Sequence, residues 1–210
     1  MLPCAPSCHW MMAHLVEEYL KAGVKVVYVG SEEALSHHVA THKKMGLSLS
    51  QHATKGKFCY VDLFTQPDNS YDYDQLPLCE KTPPGYSDVA FKKNAYRQLS
   101  SEDVEALFEL IKRWSEPSDE DSEYDSEGEK LPTCSSSVII IDSANFIIDS
   151  MMDPCPLSWL RFFNSLEDVR LANGATTVVG VNRDLFLDPR SEEFYDHVVK
   201  ESADLVFSIG

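Results

Sequence analysis

The sequence predicts an α/β domain with a mainly parallel sheet, helices on both faces and no phosphate-binding loop. Three observations carry this. Strand-length apolar runs alternate with amphipathic helical patterns along the chain, which implies right-handed crossovers between parallel strands. Four β-branched residues, Val138-Ile139-Ile140-Ile141, run into Asp142, the pattern of a strand buried on both faces with a carboxylate at its C-terminal tip. In nucleotide-hydrolysing α/β proteins such a carboxylate holds magnesium, and the chain also carries G-x-x-x-x-G-K-[ST]. That loop is missing here: Gly56-Lys57 has Gln51 in place of the first glycine and Phe58 in place of the hydroxyl.

The elements follow in order. Met11, Met12, Leu15, Val16, Tyr19 and Leu20 repeat at helical spacing, and Gly23 stops that helix. Val24 to Val29 forms a strand closing on Gly30-Ser31. A helix is expected from Glu32 or Glu33 to about Lys44, with Ser31 as its cap and Gly46 as its terminator. Phe58 to Leu63 is the next strand. Residues 65–90, rich in Pro, Asp, Asn and Tyr, read as a long loop. Ser100 or Ser101 opens an amphipathic helix carrying Val104, Leu107, Phe108, Ile111 and Trp114. An acidic insert, 116–130, follows and is expected to be disordered. The strand 138–142, a helix near Leu157–Leu171, a strand from Thr176 to Val181, a helix near Ser191–Glu201 and a strand from Asp204 to Ile209 complete the series. Residues 1–210 thus read as one domain, expected to be incomplete at both ends. The chain opens on a helix with no strand before it and stops at a strand.

The charge is uneven. The net charge is −16, but residues 116–129 hold eight acidic side chains and no basic one. The remainder has 26 acidic against 18 basic residues. This disfavours a general polyanion binder, whose affinity rests on Lys and Arg neutralising phosphates, and leaves room for a local basic patch. The six cysteines are dispersed without a C-x-x-C pair, and Cys4, Cys8 and His9 lack a second half for a zinc site. Apolar runs are strand-length and the N-terminus lacks the pattern of a secretory signal, which points to cytoplasm or nucleus.

Candidate sites divide into a few groups. Asp142, followed by Ser143, either ligates magnesium or caps the next turn; without a phosphate loop the cap is expected. The stretch Cys4 to Trp10 stands where a phosphate loop belongs, yet it has no glycine or lysine and two prolines that lack donors. No cofactor or metal is therefore expected. His37, His38 and His42 fall on one predicted helix. His38 and His42 have a zinc-compatible i, i+4 spacing, but without the glutamate of H-E-x-x-H a solvated face is expected. Basic residues at Lys43, Lys44, Lys92, Lys93 and Arg97 are candidates for contact with RNA or a neighbouring subunit. Arg183, at the end of a predicted strand where α/β sheets bind ligands, is the best single candidate; the plainer alternative is a surface ion pair. Ser118, Ser122 and Ser126 stand among acids and suit acid-directed kinases.

The stretch His14 to Val29, then Ser36-His37-His38, Lys44-Met45-Gly46-Leu47-Ser48-Leu49 and Gly56-Lys57-Phe58, resembles the Elongator complex protein 6 family. The likeness continues at Val138–Ser143 and from Leu157 to Asn182. Members are RecA-like subunits with a degenerate phosphate loop. The resemblance implies a non-catalytic subunit of a hetero-hexameric ring with Elongator complex proteins 4 and 5. That ring joins the remaining Elongator subunits, binds transfer RNA and supports modification of wobble uridine 34, and it has no membrane role. Two alternatives stand beside it: an independent nucleotide-binding ATPase using Asp142, and an adaptor recruiting a basic partner through its acidic segment.

Overall fold

The computed structural model describes residues 9–63, 101–116, 137–144 and 156–181. Among them, four strands form one parallel sheet. β1 (Lys25–Gly30) is flanked by β2 (Phe58–Asp62) and β3 (Ser137–Ile141), and β4 (Thr176–Val179) pairs with β3, giving the order β2-β1-β3-β4. This all-parallel arrangement is consistent with a RecA-like core. Register follows from the apolar pattern: Val26 to Val29 lie opposite Val138 to Ile141, and the same residues lie opposite Phe58 to Val61.

Side chains alternate across the pleat and so divide the core in two. On one face Val26, Tyr28, Phe58, Val138 and Ile140 meet α1 (His9–Lys21), α2 (Leu35–Lys44) and α3 (Leu49–Thr54). On the other, Val27, Val29, Cys59, Val61, Ile139 and Ile141 meet α4 (Ser101–Ser115) and α5 (Pro156–Asn173). Each branched residue between helices is worth about 1.5–3 kcal/mol of burial, which is why the 138–141 run lies at the centre.

The helices obey their periodicity. Met12, Val16 and Leu20 of α1 are buried at four-residue spacing, and Gly23 at φ +78° follows with its amide on the Leu20 carbonyl. α4 contributes Leu107, Phe108 and Ile111; α5 answers with Phe162, Leu166 and Val169, Phe108 meeting Phe162 edge-on at 5.6 Å. A polar link closes the same side. Asn173 Nδ2 donates to the Lys112 carbonyl and to Ser115 Oγ, both at 2.6 Å, and Ser137 Oγ donates to the Ser115 carbonyl.

Two sequence expectations need correction in this region. Ser31 does not cap α2: the helix begins at Leu35, its N-cap is Ala34, and no side chain caps it. Ser31 is drawn away by a carboxylate on the neighbouring strand. The segment Leu49–Thr54 was not expected to be helical, yet it forms α3, with Ser48 Oγ accepting from the Gln51 amide. Ser48-Leu49-Ser50-Gln51 spells a capping box, so the signal was present in the sequence. The expected loop 65–90, the acidic segment beyond Glu116 and the elements expected after Val181 lie outside the described residues.

The topology locates a crevice. From β1 the chain leaves toward β2; from β3 it leaves toward β4, in the opposite direction. The C-terminal ends of β1 and β3 are therefore the switch point, where open α/β sheets receive ligands.

Candidate functional site

At this switch point the loop after β1 meets the tip of β3. Asp142 is one residue past β3 and 2% exposed; Ser31 is one residue past β1 and 3% exposed. The Ser31 amide donates to both carboxylate oxygens at 2.9 Å, the Ser31 hydroxyl donates to Oδ1 at 2.5 Å, and the Glu32 amide donates to Oδ2 at 3.2 Å. The Asp142 amide reaches the Val29 carbonyl at 3.2 Å, extending the β1–β3 ladder. Burial raises the pKa of Asp142 above the ordinary carboxylate value, and the hydrogen bonds from Ser31 oppose that rise.

Asp142 therefore caps a turn, but not the one expected. It caps the turn of the adjacent strand, 111 residues away in sequence. The same contacts test magnesium. That ion needs carboxylate oxygens free to enter an octahedral shell, whereas both oxygens here face N–H and O–H donors that repel a cation. The residues do not fit a magnesium site.

The rest of the rim is equally self-contained. Tyr60, from β2, donates its hydroxyl to the Glu33 carbonyl at 2.7 Å and stacks on Tyr28 with centroids 5.7 Å apart and planes 7° from parallel. Burial, then the nearby carboxylates Asp62 and Asp142, push its pKa up, so the phenol stays protonated as a donor. Gly30 lies beneath it, and a Cβ there would overlap the Tyr60 hydroxyl. Tyr60→Phe is expected to cost about 1 kcal/mol through this one lost bond, read as a shift in urea midpoint with an unchanged slope. On the outer edge His9 meets Glu32 at 2.6 Å and Glu33 at 3.5 Å, and His37 meets Glu33 at 3.1 Å.

β4 is sealed to β3 at the same level. The Gly180 amide donates to the Ile141 carbonyl and the Ala144 amide to the Gly180 carbonyl, both at 2.8 Å. Sequence reading overlooked Gly180, Tyr60 and the role of Ser31. A glycine or serine directly after a strand was the available signal, but its partner could not be read from spacing.

The other candidates are placed as follows. His38 and His42 are not on a solvated face: they are 6% and 1% exposed and point into the core, while His37 is exposed. The reason is helix phase, since Leu35, His38 and His42 share the stripe that faces the sheet. Among the described residues no group of three or more His, Cys, Asp or Glu is arranged to hold a metal ion. Lys43 and Lys44 are exposed in the last turn of α2, which runs back toward the N-terminal ends of the strands, away from Asp142. Cys4, Cys8, Lys92, Lys93, Arg97, Ser118, Ser122, Ser126 and Arg183 lie outside the described residues. No described helix is long and apolar enough to cross a membrane.

No protein-family model matches the chain. A stretch of 53 residues is 32% identical to Elongator complex protein 6 of Danio rerio. It covers 25% of this chain and 20% of that protein, so the match spans about a fifth of the relative's length.

Proposed function

We propose that this chain is a non-catalytic, RecA-like scaffold subunit of an Elongator-type assembly. In this reading it forms a hetero-hexameric ring with Elongator complex proteins 4 and 5, contacts the remaining Elongator subunits and transfer RNA through that ring, and supports modification of wobble uridine 34 in the cytoplasm or nucleus. The observation that carries the reading is the Asp142 carboxylate. At the position where an α/β hydrolase would hold a metal nucleotide, it is buried and engaged by Ser31 and the Glu32 amide. A switch point closed by the chain's own groups suits a subunit that works through contacts with neighbours. The partial likeness to Elongator complex protein 6 supports the choice of assembly.

Arg183, with Lys43, Lys44, Lys92, Lys93 and Arg97, is part of this proposal as a contact to RNA or to an adjacent subunit. An arginine lent to a neighbour's site would follow the logic of ring ATPases. The acidic residues around Ser118, Ser122 and Ser126 are proposed as a phosphorylatable spacer.

The test is co-expression with the two sister subunits and mass measurement of the purified product. A hetero-hexamer containing this chain is expected. The isolated chain, titrated with ATP and magnesium, is expected to show no saturable binding. A monomer in the first experiment or tight ATP binding in the second would overturn the reading, the second in favour of an independent ATPase.

A further inference from the structure

A second buried network runs from α2 to the same loop. The His38 ring packs 4.7 Å from Tyr28 of β1 and 5.4 Å from Tyr60 of β2. His42 Nδ1 makes a 2.8 Å hydrogen bond with the His38 carbonyl; since a carbonyl only accepts, that nitrogen carries the proton. The Nε2 atoms of His38 and His42 are buried with no hydrogen-bond partner. α2 has no side-chain cap, and its buried residues are Leu35, His38 and His42. Its seat on the sheet therefore includes two imidazoles beside the apolar Leu35 and Val39. Tyr60 joins this seat to the switch point, because the ring that packs on His38 also carries the hydroxyl that holds Glu33.

We propose that His38 is an acid-operated latch: its protonation releases α2 and, through Tyr60, the loop 31–34 that closes the switch point. The physical reason is the absence of an acceptor. A protonated His38 would place a buried cation against two phenol rings. Facing it are Tyr28 from β1, Tyr60 from β2, His9 from α1, and His37 and His42 from α2 itself. Glu33 is the nearby acid, and its carboxylate is engaged by His37 and His9 while its carbonyl takes the Tyr60 hydroxyl. Cation–π attraction from the two rings is worth about 0.5–2 kcal/mol, less than the cost of burying an unpaired charge.

The direction follows from linkage. Burial, then the neighbouring imidazoles of His42, His37 and His9, lower the His38 pKa from 6.5 to about 4. Between these values the unfolded chain binds more protons than the folded one. Stability is complete above pH 6.5 and declines as pH falls toward 4. Asp142 acts with the opposite sign: burial raises its pKa, so its protonation as pH falls relieves a buried charge.

Hydrogen exchange of the full chain, corrected for intrinsic rates, reads the latch. Between pH 7 and pH 5 the protection of amides in 31–44 is expected to fall roughly 20-fold, while amides of α4 and α5 change little. His38→Phe, which keeps an aromatic ring against Tyr28 and Tyr60, is expected to abolish the difference. Equal loosening of all elements, or an undiminished effect in His38→Phe, would overturn the latch. Should that variant not fold, the imidazole resonance of His38 in the unmodified chain decides. A midpoint below about 5.5 supports the latch, and one at or above it, in the ordinary histidine range, refutes it.

Discussion

Asp142→Ala is expected to destabilise the chain by about 3 kcal/mol. The substitution removes the acceptor for the Ser31 amide, the Ser31 hydroxyl and the Glu32 amide at once. Two of these donors belong to a buried residue, and each orphaned buried donor costs about 1–3 kcal/mol. One effect runs the other way, since removing a buried carboxylate also removes its desolvation cost, the leading cause of its raised pKa. The donors win because Ser31 stays buried whatever replaces Asp142. Asp142→Asn keeps one acceptor oxygen and should lose roughly half as much. Chemical denaturation followed by fluorescence gives both numbers. If Asp142→Ala were neutral in stability, the carboxylate would not be the clasp that closes the crevice.

Gly180→Ala is expected to cost at least as much, roughly 3 kcal/mol. A Cβ at position 180 would overlap the Asp142 carbonyl oxygen, and the Met12 side chain lies just beyond at 3.3 Å. The first obstacle is backbone and cannot rotate away. Relief would require β3 and β4 to part at their tips, stretching the hydrogen bonds between Gly180 and both Ile141 and Ala144. For a chain of this size the expected fall in melting temperature is about 6–12 °C. Gly174→Ala serves as the contrast. Its Cβ would meet nothing within 4 Å, and only its φ of +61° resists the change, so a cost of about 1 kcal/mol is expected there. A melting temperature unchanged in Gly180→Ala would show that the strand tips are looser than their bonding implies.

The two predictions bear on one idea. Where a nucleotide-hydrolysing sheet would open a pocket, this chain knits β1, β3 and β4 together with its own backbone and one carboxylate. Substitutions there should change stability before they change any affinity for nucleotide.

The fold was legible because its signals are local. The β-branched run 138–141 favoured a strand buried on both faces, and the four-residue spacing of Met12, Val16 and Leu20 favoured one face of a helix. The missing phosphate loop was equally plain, being a matter of which residues stand at fixed spacing. The boundary of α2 was not legible. Ser31 satisfied every local rule for a helix cap, but a buried carboxylate 111 residues away competed for it and held it more strongly. The histidines of α2 misled for a related reason. Polarity suggested solvent, whereas helix phase and the packing surface of Tyr28 and Tyr60 placed His38 and His42 inside.

Local chemistry therefore determined the described strands and most of the described helices, because periodicity and turn residues act within a few positions. Tertiary structure alone decided what fills the switch point. The bonds that close it join residues brought together by strand order, and strand order is set by the burial of whole faces rather than by any short stretch of sequence.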